Sequence, residues 1–415
     1  MIQTCNPASL SGTVSAPASK SHAHRLLICA ALADRPTEIR CTGFSRDLAA
    51  TVSCLQALGT SVSYKNNQFL IQPSVPVPSG LLPCGESGST LRFLVPVAAA
   101  LGVPVTFSME GRLPDRPMAP LEEQLACHGV ALSRPQPNLL NCNGKLRPGH
   151  YILPGNVSSQ FISGLLMALP LLDSPSTLTV TGELESAPYV ELTLEVLRQF
   201  GIKIEADRQT YVVYPSAFRS PGSVTVEGDW SNAAFWLTAG ALGRPVTVTG
   251  LNPQSLQGDR AIVPLLQKMG AFCHMDDACV TVTPGSLSAV DIDASDIPDL
   301  VPILSVAAAA ATGTTRIFHA QRLRLKESNR LESICRMLRA LGGRAEETAD
   351  GLLIHGGVPL TGGTVDSCGD HRIAMAAAIA SVFSTGPVTV TGAEAVEKSY
   401  PSFWEEFYRL QGEVL

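Results

Sequence analysis

The chain has 415 residues, a net charge of −6 and a sequence pI near 5.8, so it has room for two or three domains and is no polyanion binder as a whole. A nucleic-acid role needs a local basic stripe, and none is present. The longest apolar run, Leu300 to Ala311, falls well short of the roughly 20 residues a spanning helix needs, which argues against a membrane protein.

In chain order, one unit recurs six times. A polar or Gly-containing turn precedes an Ala-rich apolar helix, expected at Ser21–Ala33, Ser87–Leu101, Ser158–Leu172, Asp229–Leu242, Asp296–Thr312 and Asp370–Ser384. Short β-branched strands follow, as at Val246–Gly250 and Val388–Gly392. An amphipathic helix then ends in a glycine suited to a C-cap: Gly59, Gly129, Gly201, Gly270 and Gly342 recur 69–72 residues apart. Alternating apolar residues after most of these glycines suggest a hairpin. Each unit is therefore βαβαββ-like. The sixth stops near Gly412 without closing strands, which the N-terminal segment is expected to supply. A helix apolar all round must be buried on every side, so three units per domain place three helices at its centre. The predicted class is α/β, with two domains of three repeats: residues 20–228, and residues 1–19 with 229–415.

The buried helices begin with more polar residues than capping needs: Lys20-Ser21, Ser158 to Gln160, Asp296 to Asp299, Asp370 to Arg372. If the helix N-termini of each domain point one way, the two domains enclose an electropositive cleft for small multiple anions. The stretch Arg322 to Arg330 adds to this. Five of its nine positions are charged in a chain only 16% charged, and Leu331, Ile334, Leu338 and Leu341 continue it as a helix. Cations there oppose the helix dipole, an arrangement that makes sense if an anion is shared between them. The eleven cysteines lack Cys-x-x-Cys spacing and read as buried hydrophobes in a reducing cytoplasm. Met1 to Gly12 lacks the pattern of a secretory signal. No metal-site pattern is present.

Taken together, Lys20-Ser21 with Arg25, Gly85 to Arg92, Asp115 to Pro117, Ser158 to Gln160, Ser186 with Tyr189, Asp296 to Asp299, Lys326-Glu327 with Arg330, Asp370 to Arg372 and Lys398 resemble the 5-enolpyruvylshikimate-3-phosphate synthase family, in order and along essentially the whole chain. The resemblance implies two inside-out α/β domains and transfer of the carboxyvinyl group of phosphoenolpyruvate to the 5-hydroxyl of shikimate 3-phosphate, with no cofactor. It implies Asp299 as acceptor of the hydroxyl proton, Glu327 for the methylene proton, Lys20 for charge at the reacting centre, and His371 as a site-shaping or relay group. Phosphoenolpyruvate would meet Lys20, Gly88, Arg116, Gln160, Arg330, Arg372 and Lys398. Shikimate 3-phosphate would meet Lys20, Ser21, Arg25, Ser158, Ser159, Ser186, Tyr189, Asp299 and Lys326. The partners implied are these small molecules, with no nucleic acid and no membrane, and the chain is expected to act as a cytoplasmic monomer.

Single residues keep a plainer reading as well. Asp299 also suits an N-cap ahead of Leu300, Gly88 a helix-start turn, and Ser186 and Tyr189 a loop polar group and a core aromatic. Two positions depart from the family: Glu86 stands where an Asn is usual, and Arg322 where a neutral or acidic residue is. Glu86 is expected to face the helix dipole or a nearby cation such as Arg92. Two rival functions remain: the related transferase acting on UDP-N-acetylglucosamine, which uses a loop cysteine where this chain has only Cys127 on a predicted helix, and a non-catalytic anion-binding relative.

Overall fold

A computed structural model describes residues 1–77, 80–277 and 279–412. The chain divides into two compact units: a middle unit, Lys20–Val226, and a terminal unit, Met1–Ser19 with Glu227–Leu415. The middle unit holds α1 (Lys20–Ala31), α2 (Arg46–Ala57), α3 (Gly88–Leu101), α4 (Leu121–Cys127), α5 (Ser159–Ala168) and α6 (Ala187–Gln199). The terminal unit holds α7 (Trp230–Leu242), α8 (Ile262–Met269), α9 (Val301–Ala310), α10 (Arg330–Ala340), α11 (His371–Ala380) and α12 (Phe403–Gln411).

The odd-numbered helices are the apolar ones, and they are buried along nearly their full length. Every residue from His22 to Ala31, from Trp230 to Ala241, from Val301 to Ala309 and from His371 to Ala380 is buried. The even-numbered helices are amphipathic; α10 buries Leu331, Ile334 and Leu338 while Glu332, Arg336 and Arg339 face solvent. Each of these ends at a glycine with φ between 79° and 114°, a conformation that costs other residues.

Among the described residues the strands form six sheets, five of four strands and one of three. The third repeat gives the pattern: His150–Pro154 lies parallel to Ser176–Thr181, which pairs antiparallel with the hairpin strand Thr210–Val213. Two repeats take their leading strand from far along the chain. Ser223–Thr225 pairs parallel with Thr37–Arg40, and Gly12–Ser15 pairs parallel with Val246–Thr249. In the sixth repeat Ile2–Cys5 pairs antiparallel with Val388–Thr391. The N-terminal segment thus closes the sixth sheet with one strand, and its second strand joins the fourth. Leu10, fully buried between them, anchors the turn from one sheet to the next.

The expected helix limits shift where proline intervenes. α9 starts at Val301 rather than Asp296, since Pro298 keeps Ile297 out of the helical region. α5 ends at Ala168 and continues as a 3-10 turn, Leu169–Leu171, around Pro170.

Candidate active site

In the terminal unit the charged residues converge on Arg330, the first residue of α10, whose side chain is 1% exposed. Its Nε donates to Asp370 Oδ2 at 2.8 Å, Nη1 to Asp299 Oδ1 at 2.7 Å and Nη2 to Glu327 Oε2 at 2.8 Å. A further, longer bond runs from Nη2 to Asp370 Oδ1. One Nη1 hydrogen is left of the five a guanidinium carries. Asp370 is fully buried and Asp299 and Glu327 are partly so, and the guanidinium offsets the cost of bringing three acids into one place.

Asp370 is the hub beneath. It caps α11 by accepting from Arg372 N at 3.0 Å, and it accepts from Ser328 Oγ at 3.1 Å. Asp299 does not cap α9: the cap position is Leu300, with no side-chain bond. Its carboxylate instead receives Arg372 Nη2 at 3.0 Å, with Lys326 Nζ at 4.0 Å. Burial alone would raise the Asp299 carboxyl, but Arg372, Lys326 and Arg330 together hold it well below the usual carboxylate range. Burial pushes the Lys326 ammonium down to about 8; Asp299 opposes that shift, while Arg330 and Arg322 add to it. Lys398 Nζ donates to the Gly369 carbonyl at 2.8 Å, ahead of α11. His371 Nδ1 lies 3.8 Å from Asp370 Oδ1, beyond hydrogen-bond reach.

The charged stretch therefore finds anions within its own chain. Arg330 meets three carboxylates, Arg324 pairs with Glu347, and Arg322 donates to the Ser295 carbonyl.

In the middle unit polar groups gather at the starts of α1, α3 and α5. Lys20 Nζ pairs with Asp47 Oδ2 at 2.7 Å. Arg25 is buried on the facing sides of three helices. It donates through Nε to Thr193 Oγ1 at 2.7 Å, through Nη1 to the Ser21 carbonyl at 2.7 Å, and through Nη2 to Ser163 Oγ at 3.2 Å and the Tyr189 carbonyl at 2.9 Å. Its guanidinium also lies over the Phe93 ring. Burial lowers its pKa to about 10, still charged at neutral pH.

Ser87 caps α3, and Ser158 caps α5 by accepting from Gln160 N at 3.3 Å. The Gln160 amide is held at both ends, accepting from Arg92 Nη1 at 2.7 Å and donating to Ser89 Oγ at 2.9 Å. Arg116 lies against Gly88: a Cβ added there would stand 2.8 Å from its Nη1. Ser159 and Ser186 are buried, the latter with φ 56° just before α6, a strained conformation for a serine. The Glu86 carboxylate folds over Gly111, filling the space any side chain there would need.

The structure thus groups Asp299, Lys326, Glu327, Arg330, His371, Arg372 and Lys398 in one unit. Lys20, Ser21, Arg25, Gly88, Arg116, Gln160, Ser158, Ser159, Ser186 and Tyr189 lie in the other. Sequence reasoning missed Asp47, which reads as an acid in the first turn of α2, and Asp370, which reads as a cap. Arg92, expected as a cation for Glu86, donates to Gln160 Oε1 and to the Pro117 carbonyl.

A structure of EPSP synthase from Acinetobacter baumannii superimposes with a TM-score of 0.82 at 24% identity, covering 99% of this chain and 98% of that one. The enolpyruvyl transferase NikO from Streptomyces tendae gives a TM-score of 0.78 at 21% identity, over 99% and 97%. The fold is that of the enolpyruvyl transferases. A 3-phosphoshikimate 1-carboxyvinyltransferase from Clostridium kluyveri is 43% identical over 99% of this chain and 97% of its own length. One from Clostridium acetobutylicum is 41% identical over the same shares. The sequence pattern of EPSP synthase (3-phosphoshikimate 1-carboxyvinyltransferase) matches residues 5–407, and the chain belongs to that family.

Proposed function

We propose that the chain transfers the carboxyvinyl group of phosphoenolpyruvate to the 5-hydroxyl of shikimate 3-phosphate, releasing phosphate, in the biosynthesis of aromatic amino acids. The observation that carries the mechanism is the buried Arg330 guanidinium bonded at once to Asp299 and Glu327, at 2.7 and 2.8 Å. Two carboxylates fixed on one cation can take separate proton-transfer roles without drifting.

In this reading the 5-hydroxyl oxygen attacks C2 of phosphoenolpyruvate. Asp299 takes the hydroxyl proton while Glu327, protonated in the substrate complex, delivers its proton to the C3 methylene. Lys20 and Arg372 stabilise charge on the tetrahedral adduct. The C2–O bond to phosphate then breaks as Glu327 recovers a proton from C3, and the phosphate carries away the proton held by Asp299. Asp299 in the free enzyme is a weak base, because three cations hold its carboxyl down. Arriving phosphate and carboxylate groups neutralise those cations, so binding itself restores basicity to Asp299.

The family pattern divides the candidate residues between the two substrates. Gly88, Arg116, Gln160, Arg372, Lys398 and the remaining Arg330 hydrogen serve phosphoenolpyruvate. Ser21, Arg25, Ser158, Ser159, Ser186, Tyr189 and Lys326 serve shikimate 3-phosphate, with His371 shaping the site. No described helix is long and apolar enough to cross a membrane, and a cytoplasmic monomer is the working assignment. The UDP-N-acetylglucosamine alternative is not favoured: Cys127 is the last residue of α4, and the relatives at 43% and 41% identity carry the shikimate name.

The test is phosphate release from phosphoenolpyruvate in the presence of shikimate 3-phosphate or UDP-N-acetylglucosamine. Release with the first alone is expected; release with only the second would overturn the assignment.

A further inference from the structure

His24 lies one turn beyond Lys20 on α1 and is fully buried. Its Nδ1 meets Thr51 Oγ1 at 2.7 Å, one turn beyond Asp47 on α2. Lys20–Asp47 and His24–Thr51 are therefore successive rungs between the same two helices. The second rung continues. Thr51 Oγ1 meets Thr90 Oγ1 at 2.7 Å, and Thr90 donates its hydroxyl to Ser87 Oγ at 2.8 Å. Ser87 is the cap of α3, also accepting from Thr90 N, and Gly88 follows it.

The direction of every proton follows from that last bond. A hydroxyl has one hydrogen to give. Thr90 gives its own to Ser87, so Thr51 must donate to Thr90, and His24 must donate from Nδ1 to Thr51. Nε2 is then the bare nitrogen, and among the described residues it has no hydrogen-bond partner. A second proton there would be a buried donor with nothing to meet, which is costly. Burial, with Lys20 and Arg25 nearby, accordingly holds His24 well below the ordinary histidine range.

We propose that His24 is a positioning residue for the phosphoenolpyruvate end of the site. Through Thr51 and Thr90 it fixes the Ser87 cap, and with it the Gly88 backbone and the Arg116 guanidinium packed on it, in register with Lys20. This rests on the reading that Gly88 and Arg116 meet phosphoenolpyruvate. A continuous buried hydrogen-bond chain rigidifies what it links, and here it links three helices. A structural histidine would affect stability alone, whereas a positioning one affects a single substrate.

The test compares His24→Leu, which removes the donor, with His24→Asn, which keeps a side-chain N–H for Thr51. Thr90→Val cuts the same chain at its other end. In the full-length enzyme, His24→Leu and Thr90→Val should each raise KM for phosphoenolpyruvate about five- to tenfold, the scale of one buried hydrogen bond. KM for shikimate 3-phosphate and kcat should stay within about twofold, and His24→Asn should recover most of the loss. Nitrogen NMR of the wild type should find His24 neutral with its proton on Nδ1. An unchanged KM for phosphoenolpyruvate in Thr90→Val, equal rises for both substrates, or a proton on Nε2 would each overturn the proposal. Should His24→Leu not fold, Thr90→Val and the tautomer decide. Failure of the functional reading is distinct: the wild type would then release no phosphate with shikimate 3-phosphate.

Discussion

The two clusters handle buried cations in opposite ways. Arg330 in the terminal unit is met by three carboxylates, whereas Arg25 in the middle unit is met by two hydroxyls and two carbonyls. Each spends four of its five N–H groups. Asp299, Glu327 and Asp370 stand against Arg330, Arg372 and Lys326, three acids against three bases, so the first arrangement is nearly charge-balanced, while Arg25 among neutral groups keeps its positive charge. A balanced cluster suits carboxylates that exchange protons; an unbalanced one suits holding an anion. Repeats of one architecture have thus been given different work by the acceptors placed around the same residue type.

The largest expected effect tests the proton-transfer side. Asp299→Ala and Glu327→Gln should each lower kcat by about 10²-fold or more while shikimate 3-phosphate still binds, as checked by calorimetry. Near-normal turnover in either would remove that carboxylate from the chemistry.

Stability should separate the two arginines next. Arg330→Met strands buried Asp370 without its cation and should cost about 3–5 kcal/mol in urea unfolding. Arg25→Met leaves Ser163 and Thr193, already 2.7 Å apart, to bond each other, and should cost only about 1–2 kcal/mol. Equal losses would erase the distinction between the clusters.

The acid–base side has a pH signature through Lys326, which is lowered to about 8 by burial first of all. As pH rises through that value the ammonium deprotonates, so kcat/KM for shikimate 3-phosphate should fall about tenfold per pH unit above it. Stability should move the other way between about pH 8 and the unfolded lysine value near 10.4, because there the unfolded chain binds the extra proton. Lys326→Arg should flatten the kinetic limb.

Gly88→Ala probes the anion-holding side. The added methyl meets the Arg116 guanidinium before anything else, which turns the expected loss of pocket volume into a displaced cation. KM for phosphoenolpyruvate should rise about tenfold, the equivalent of roughly 1.4 kcal/mol, with shikimate 3-phosphate nearly unaffected. Smallest of all, Glu86→Gln should leave both KM values within about threefold, since this carboxylate is folded over the Gly111 turn. A tenfold tightening for phosphoenolpyruvate would mean that Glu86 faces the ligand.

Local pattern carried the architecture well, and long-range pairing carried the rest. Helix periodicity and glycine caps mark the repeats, because both are written within about a dozen residues. The displaced leading strands could not be read, since Gly12–Ser15 carries no mark of Val246–Thr249. The same divide runs through the site. Lys20, Glu327 and Arg372 stand out as charges that capping does not require. Asp47, Asp370 and His24 look like ordinary cap or core residues until their partners from other helices are placed beside them. Asp299 misleads in the opposite sense: its spacing before Leu300 fits a cap, but Pro298 delays the helix and frees the carboxylate for Arg330 and Arg372.

The strand pairings also set a timetable for synthesis. The middle unit is one continuous segment and can complete its sheets once Ser223–Thr225 leaves the ribosome. Ile2–Cys5 must wait for Val388–Thr391, which pairs with it across a separation of 385 residues at Thr4 and Thr389. At about 5–20 residues per second that delay is on the order of 20–80 s. Through it the nascent Ile2–Cys5 strand is an unpaired edge of the kind that recruits other chains, while Gly12–Ser15 waits only for Val246–Thr249. Ile2–Cys5 and Gly12–Ser15 are only four residues each, joined by the polar, proline-containing Asn6–Ser11 segment, which limits what they can nucleate before the last repeat arrives.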